Sequence, residues 1–142
     1  MVIQSATLND VEYISNALSK YFDEINYAFG FPKYKTEKGL MAKVVSERIS
    51  DEQSEYKYMV AYQDGEPLGF INILLSQESP EILVVIGDNK KTKEELLKNA
   101  IEMFKEQGVS NVFGEISSNE DIESILQSMD FEIVQKRYKL KI

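Results

Sequence analysis

Apolar residues at Val11, Ile14, Leu18, Phe22 and Ile25 recur every three or four positions, which predicts one buried face of a helix. Asp10, Glu12, Ser15 and Ser19 fall largely on the opposite side. Thr7-Leu8-Asn9-Asp10 precedes this run in the form of a capping box, in which hydroxyl and carboxylate each satisfy a free backbone N–H. A short apolar-leaning segment, residues 2–6, comes before it. A second helix is predicted over 38–49, with Leu40, Met41, Val44 and Val45 on one side. The intervening residues 26–35 contain Gly30 and Pro32, which break the period, and the aromatics Tyr27, Phe29, Phe31 and Tyr34.

From Tyr56 the period changes. Residues 56–63 and 68–76 are rich in β-formers and flank Asp64-Gly65-Glu66-Pro67, a hairpin signal. Glu81-Ile82-Leu83-Val84-Val85-Ile86 is continuously apolar after its first residue and reads as a strand buried on both faces. A helix is predicted over 92–107, with Thr92 and Glu95 as a second capping box and Gly108 at the C-terminal cap. Residues 109–116 read as a strand and 119–129 as a helix with Ile122, Ile125, Leu126 and Met129 inward. Residues 131–142 read as one long closing strand, since no Gly, Pro or Asn marks a turn there. Strands alternating with helices in this half imply parallel pairing, after an antiparallel hairpin.

The 142 residues suit a single domain, and 43% hydrophobic with 28% charged residues, 7 Gly and 3 Pro predict a folded one. A net charge of -8 without a basic stripe argues against nucleic acid and favours neutral or cationic small partners. The chain has no Cys and no His. That removes disulfides, thiol nucleophiles, histidine bases and histidine-ligated metals, and no metal site is expected. No basic leader and no long apolar run is seen, so neither export nor membrane insertion is supported and a cytoplasmic location is expected.

The predicted order β-α-α-β-β-β-α-β-α-β resembles the GNAT superfamily of N-acetyltransferases over essentially the whole chain. The strand-to-helix turn Ala6-Thr7-Leu8-Asn9-Asp10-Val11-Glu12, the hairpin from Tyr58 to Phe70 and the spacing of Asn119 to Phe131 are similar to segments of that family. The resemblance implies an α/β fold with a mixed central sheet flanked by helices. It also implies acetyl-CoA as cosubstrate and an amine as acceptor, and a possible homodimer, because members of this fold often pair.

By the same resemblance, backbone N–H groups near Val85 or Ile86 would donate to the oxyanion and Glu81 is the best placed base. The family's glycine loop for the coenzyme pyrophosphate corresponds to Asp88-Asn89-Lys90-Lys91-Thr92-Lys93, in which every loop glycine is missing. Lys90, Lys91 and Lys93 can offer charge instead, while Asp88 opposes them. The other reading of this segment is a plain helix start with Thr92 as N-cap and solvated lysines. Asn119 either contacts the coenzyme arm or caps the following helix. Glu24, Tyr27 and Phe31, with Asp23, would receive a cationic amine by charge and cation–π contact, or the aromatics anchor their loop to the core. Leu126 stands where the family often has the Tyr that protonates the departing thiolate, and Asp130 where a Gly precedes Phe131. These departures leave a catalytically inactive binding or regulatory module as the alternative.

Overall fold

The computed structural model describes residues 1–28, 38–114, 120–134 and 140. Its strands are β1 (Val2–Ser5), β2 (Tyr56–Gln63), β3 (Glu66–Leu74), β4 (Glu81–Gly87) and β5 (Phe113–Gly114). They form one sheet in the order β1-β2-β3-β4-β5. The first four pair antiparallel and β4 pairs with β5 in parallel. A parallel neighbour requires a crossover, which here is helix α3 (Lys90–Glu106).

Helices α1 (Val11–Ala28) and α2 (Lys38–Ser50) cover one face of the sheet, where Ile14, Leu18 and Val45 pack with Tyr58, Val60, Phe70 and Val84. On the other face α3 and α4 (Glu120–Ser128) bring Leu96, Leu97, Phe104 and Ile125 against Ile71, Ile73 and Ile82. The mixed α/β architecture and its helices on both faces are those expected from the sequence.

Local signals account for most boundaries. The Thr7–Asp10 capping box forms, with Thr7 N–H donating to Asp10 Oδ2 at 2.7 Å, and closes a single 3-10 turn that leads into α1. Between β2 and β3, Asp64 and Gly65 both take positive φ, 52° and 80°, which a two-residue hairpin turn with the right twist requires. Gly108, at φ 72°, ends α3: its N–H donates to Lys105 O and that of Val109 to Phe104 O, the paired bonds of a Schellman cap.

Three expectations change. Helix α3 starts at Lys90 rather than Thr92, and Asn89 is its N-cap. The strand expected over 109–116 is confined to Phe113–Gly114 among the described residues. The Val109 amide is consumed by the helix cap, and the chain joins the sheet at Phe113, whose N–H donates to Pro80 O. The closing strand expected over 131–142 is not formed by 131–134; residues 135–139 and 141–142 lie outside the described residues. Phe131 N–H donates to Leu126 O as part of α4's cap, and Ile133 and Val134 are exposed.

Candidate active site

β4 does not alternate regularly. Ile82 and Val85 pack toward α3 and α4, whereas Leu83 and Val84, consecutive in sequence, both pack toward α1 and α2. The ladder explains this: Asn72 pairs with Val84 and Ile73 with Ile82, so Leu83 has no partner on β3. An extra residue of this kind is a β-bulge, which bends the strand and re-aims the side chains beyond it. On the β5 side the described pairing covers Glu81 with Phe113 and Ile82 with Gly114. Among the described residues, β4 from Leu83 onward therefore has a ladder on one side only.

A second slip, between Ala61 and Tyr62, leaves Leu68 of β3 unpaired, and its carbonyl accepts the Asp88 N–H at 2.9 Å. That bond holds the end of β4 against the hairpin. Beside it β3 comes so close to β4 that a Cβ on Gly69 would sit 2.3 Å from Ile86 O and 2.7 Å from Gly87 Cα. Gly87 in turn lies under the first turn of α3, where a Cβ would meet Lys93 Cγ at 3.1 Å and Thr92 Cγ2 at 3.3 Å. Glycine is absent from the loop itself, but glycines clamp the strand that feeds it.

The first turn of α3 is built on Asn89. Its Oδ1 accepts from Thr92 N–H at 2.9 Å and from Thr92 Oγ1 at 3.1 Å, and its carbonyl accepts from Lys93 N–H. The amides of Lys90 and Lys91 have no partner among the described residues, as expected for the first positions of a helix. They point outward at the positive end of the helix dipole, where an anion is favoured. Around them the lysines diverge. Lys90 Nζ donates to Ser124 Oγ of α4 at 2.9 Å, Lys93 Nζ pairs with Asp121 Oδ2 of α4 at 3.4 Å, and Lys91 is exposed.

Tyr13 of α1 comes into the same end of the sheet, its ring edge-on to Phe70 at 6.2 Å. Burial pushes its phenol above the ordinary tyrosine range, and the Asp88 carboxylate adds to the rise. A neutral hydroxyl is thereby held near the strand-to-helix junction.

The predicted site residues divide. Val85 and Ile86 come after the bulge, on opposite faces of β4, and Lys91 stands beside the open amides. Thr92 is buried and its hydroxyl is engaged by Asn89, so it is neither the N-cap nor a free donor; Lys93 is engaged by Asp121. Glu81 is half-buried at the first residue of β4, two positions before the bulge. Glu24 is exposed on α1, whereas the neighbouring Asp23 has its Oδ1 buried. Tyr27 falls in the last turn of α1 with its side chain outside the description, and Phe31 and Asn119 lie outside the described residues.

The sequence reading missed Asn89, Gly87, Tyr13 and Asp121. Asn89 was legible, since an Asn three positions before Thr92 is a good N-cap. The others depend on what the fold brings beside them. Among the described residues no group of three or more carboxylate, His or Cys side chains could hold a metal ion, and no helix is long and apolar enough to cross a membrane.

No family model matches the sequence, and no curated protein does. Solved structures do. A probable acetyltransferase superposes over 100% of this chain and 98% of its own at a TM-score of 0.70 and 21% identity. A ribosomal-protein-alanine N-acetyltransferase from Brucella melitensis biovar Abortus matches over 100% of both chains at 0.69 and 14%. A possible acetyltransferase from Clostridium difficile covers 99% of this chain and 97% of its own at 0.60 and 13%. The chain has a GNAT-like fold.

Within this GNAT-like fold Leu126 is buried in the core shared by α3, α4 and the sheet, so that position supplies packing and no proton. Asp130 adopts φ 65°, the left-handed conformation that glycine takes most easily, and its N–H closes α4 on Gln127 O. The turn before Phe131 is thus formed without a glycine.

Proposed function

We propose that the protein transfers an acetyl group from acetyl-CoA to an amine. The observation that carries this reading is the junction of β4 and α3, in a fold that superposes end to end on structures named acetyltransferases. There a bulged strand leads into a helix whose Lys90 and Lys91 amides have no partner among the described residues. These amides, the helix dipole and Lys91 fit the phosphates of the coenzyme, with Asp88 and Asp121 as counter-charges to overcome.

In the reaction the amine nitrogen attacks the thioester carbonyl carbon, the C–S bond breaks, and the nitrogen loses a proton. A backbone N–H of β4 beyond the bulge, at Val85 or Ile86, would donate to the developing oxyanion. With no His in the chain, the proton passes to a carboxylate or to water held by one, and Glu81 is the residue we assign. The thiolate leaves readily as a weak base, so Leu126 in place of an acid slows this step without forbidding it. Asn119, Glu24, Tyr27 and Phe31 remain assigned to the coenzyme arm and the acceptor as the family resemblance implies.

Calorimetric titration with acetyl-CoA, against dephospho- and desulfo-coenzyme controls at two salt concentrations, tests the reading. Saturable micromolar binding that weakens with salt is expected. Absence of binding up to millimolar coenzyme would leave an acetyltransferase fold without its cosubstrate, the inactive binding module.

A further inference from the structure

Lys90 and Lys93 are three residues apart on α3, and Asp121 and Ser124 are three apart on α4, so each pair lies on one side of its helix. Two bonds join the pairs. Lys90 Nζ donates to Ser124 Oγ at 2.9 Å, and Lys93 Nζ meets Asp121 Oδ2 at 3.4 Å. Neither bond is needed to dock α4, because Ile122, Ile125 and Leu126 are buried in the core shared with α3 and the sheet. Asp121 and Ser124 are exposed, where such contacts add little to stability. Their effect falls on the lysines instead.

Those lysines stand in the first turn of α3, where the Lys90 and Lys91 amides have no partner among the described residues. A phosphate held by these amides attracts every ammonium group within reach. Lys91 is exposed and makes no ion pair among the described residues, so it turns to the phosphate without giving anything up. Lys90 and Lys93 must each first leave a partner on α4. For Lys93, with 11% of its side chain exposed, that partner is a carboxylate.

We propose that Asp121 and Ser124 form an autoinhibitory latch on the phosphate site: α4 holds Lys90 and Lys93 in the unliganded chain, and a bound phosphate takes them over. As regulation of coenzyme binding this rests on the acetyl-transfer reading. The coupling is reciprocal, so whatever weakens the latch tightens phosphate binding by the same factor. Phosphate binding is thereby felt at α4. Glu123 is an exposed carboxylate of the same helix with no ion pair among the described residues, so its removal changes the charge of α4 and leaves both bonds of the latch in place.

Two-dimensional NMR of the whole chain, titrated with inorganic pyrophosphate and, in separate samples, with acetyl-CoA, tests it. Saturable shifts of the Lys90 and Lys91 amides are expected, with shifts of the 121–124 amides and of the Lys90 and Lys93 ammonium nitrogens that follow the same binding curve. Asp121→Asn and Ser124→Ala should each tighten pyrophosphate binding, by up to about fivefold, and the double variant more than either. Glu123→Gln removes the same charge as Asp121→Asn and should tighten it less. Three results would overturn the latch: no binding of either probe, binding that leaves the 121–124 amides still, or a double variant that binds no more tightly than Glu123→Gln. If pyrophosphate moves α4 while acetyl-CoA fails to bind, the acetyl-transfer reading fails and the latch holds. If acetyl-CoA binds and α4 stays still, the latch fails and the reading holds.

Discussion

Lys93 in the first turn of α3 pairs with Asp121 on α4, Nζ to Oδ2 3.4 Å, with 11% of the lysine side chain exposed and 51% of the aspartate's. The pair ties together the starts of two helices on one face of the sheet. It also occupies a cation beside the amides that the acetyl-transfer reading gives to phosphate.

Asp121→Asn should therefore tighten acetyl-CoA binding and steepen its salt dependence. Half-exposed pairs are worth about 0.2–1 kcal/mol, so the gain in affinity is at most about fivefold. Calorimetry at low and moderate salt measures it. Unchanged affinity in a variant that still binds would mean that Lys93 takes no part.

Gly69→Ala should destabilise the protein by about 1–3 kcal/mol, the usual cost of forcing atoms into a packed site. The new Cβ would lie 2.3 Å from Ile86 O, on a backbone that cannot swing aside. Urea unfolding would show a lower midpoint. A wild-type midpoint would mean that β3 and β4 can separate there at no cost.

Asp130→Gly should act in the other direction. Asp130 holds φ 65° at the end of α4, a conformation costly to most side-chain-bearing residues and nearly free to glycine. A gain of about 0.5–1 kcal/mol is expected, read as a rise in Tm.

The Tyr13 phenol titrates above its ordinary value of 10.0 because it is half-buried and faces Asp88. As pH rises past 10.0 the unfolded chain loses this proton first, so the contribution of Tyr13 to stability is present below that pH and is lost as pH climbs through the folded value. Tyr13→Phe should flatten that part of the pH–stability curve. Asp88→Asn should lower the tyrosine's midpoint in an ultraviolet titration, with Tyr13→Phe identifying the transition among the 8 tyrosines.

Much of the scaffold was legible from residue pattern alone. The Thr7–Asp10 cap, the Asp64-Gly65 turn and the Gly108 helix stop rest on interactions within a few residues, so local sequence specifies them; the period of α1 placed Ile14 and Leu18 inward, but Phe22 on the same stripe is exposed while Asp10 and Ser15 are buried. The absence of Cys and His bounded the chemistry in the same direct way. The start of α3 was also local, but two capping candidates competed, and Asn89 prevailed because Thr92 is drawn into the buried layer beneath it. Tertiary structure alone decided the rest. The bulge at Leu83 is a matter of register between strands, and period-two patterning does not record a one-residue slip inside a continuously apolar run. The Lys93–Asp121 pair joins residues 28 positions apart. Asn72, one polar residue in an apolar strand, becomes unusual only once the sheet and the helices over it have taken water away from it. Burial is a property of the packed whole and could not be read from any one segment.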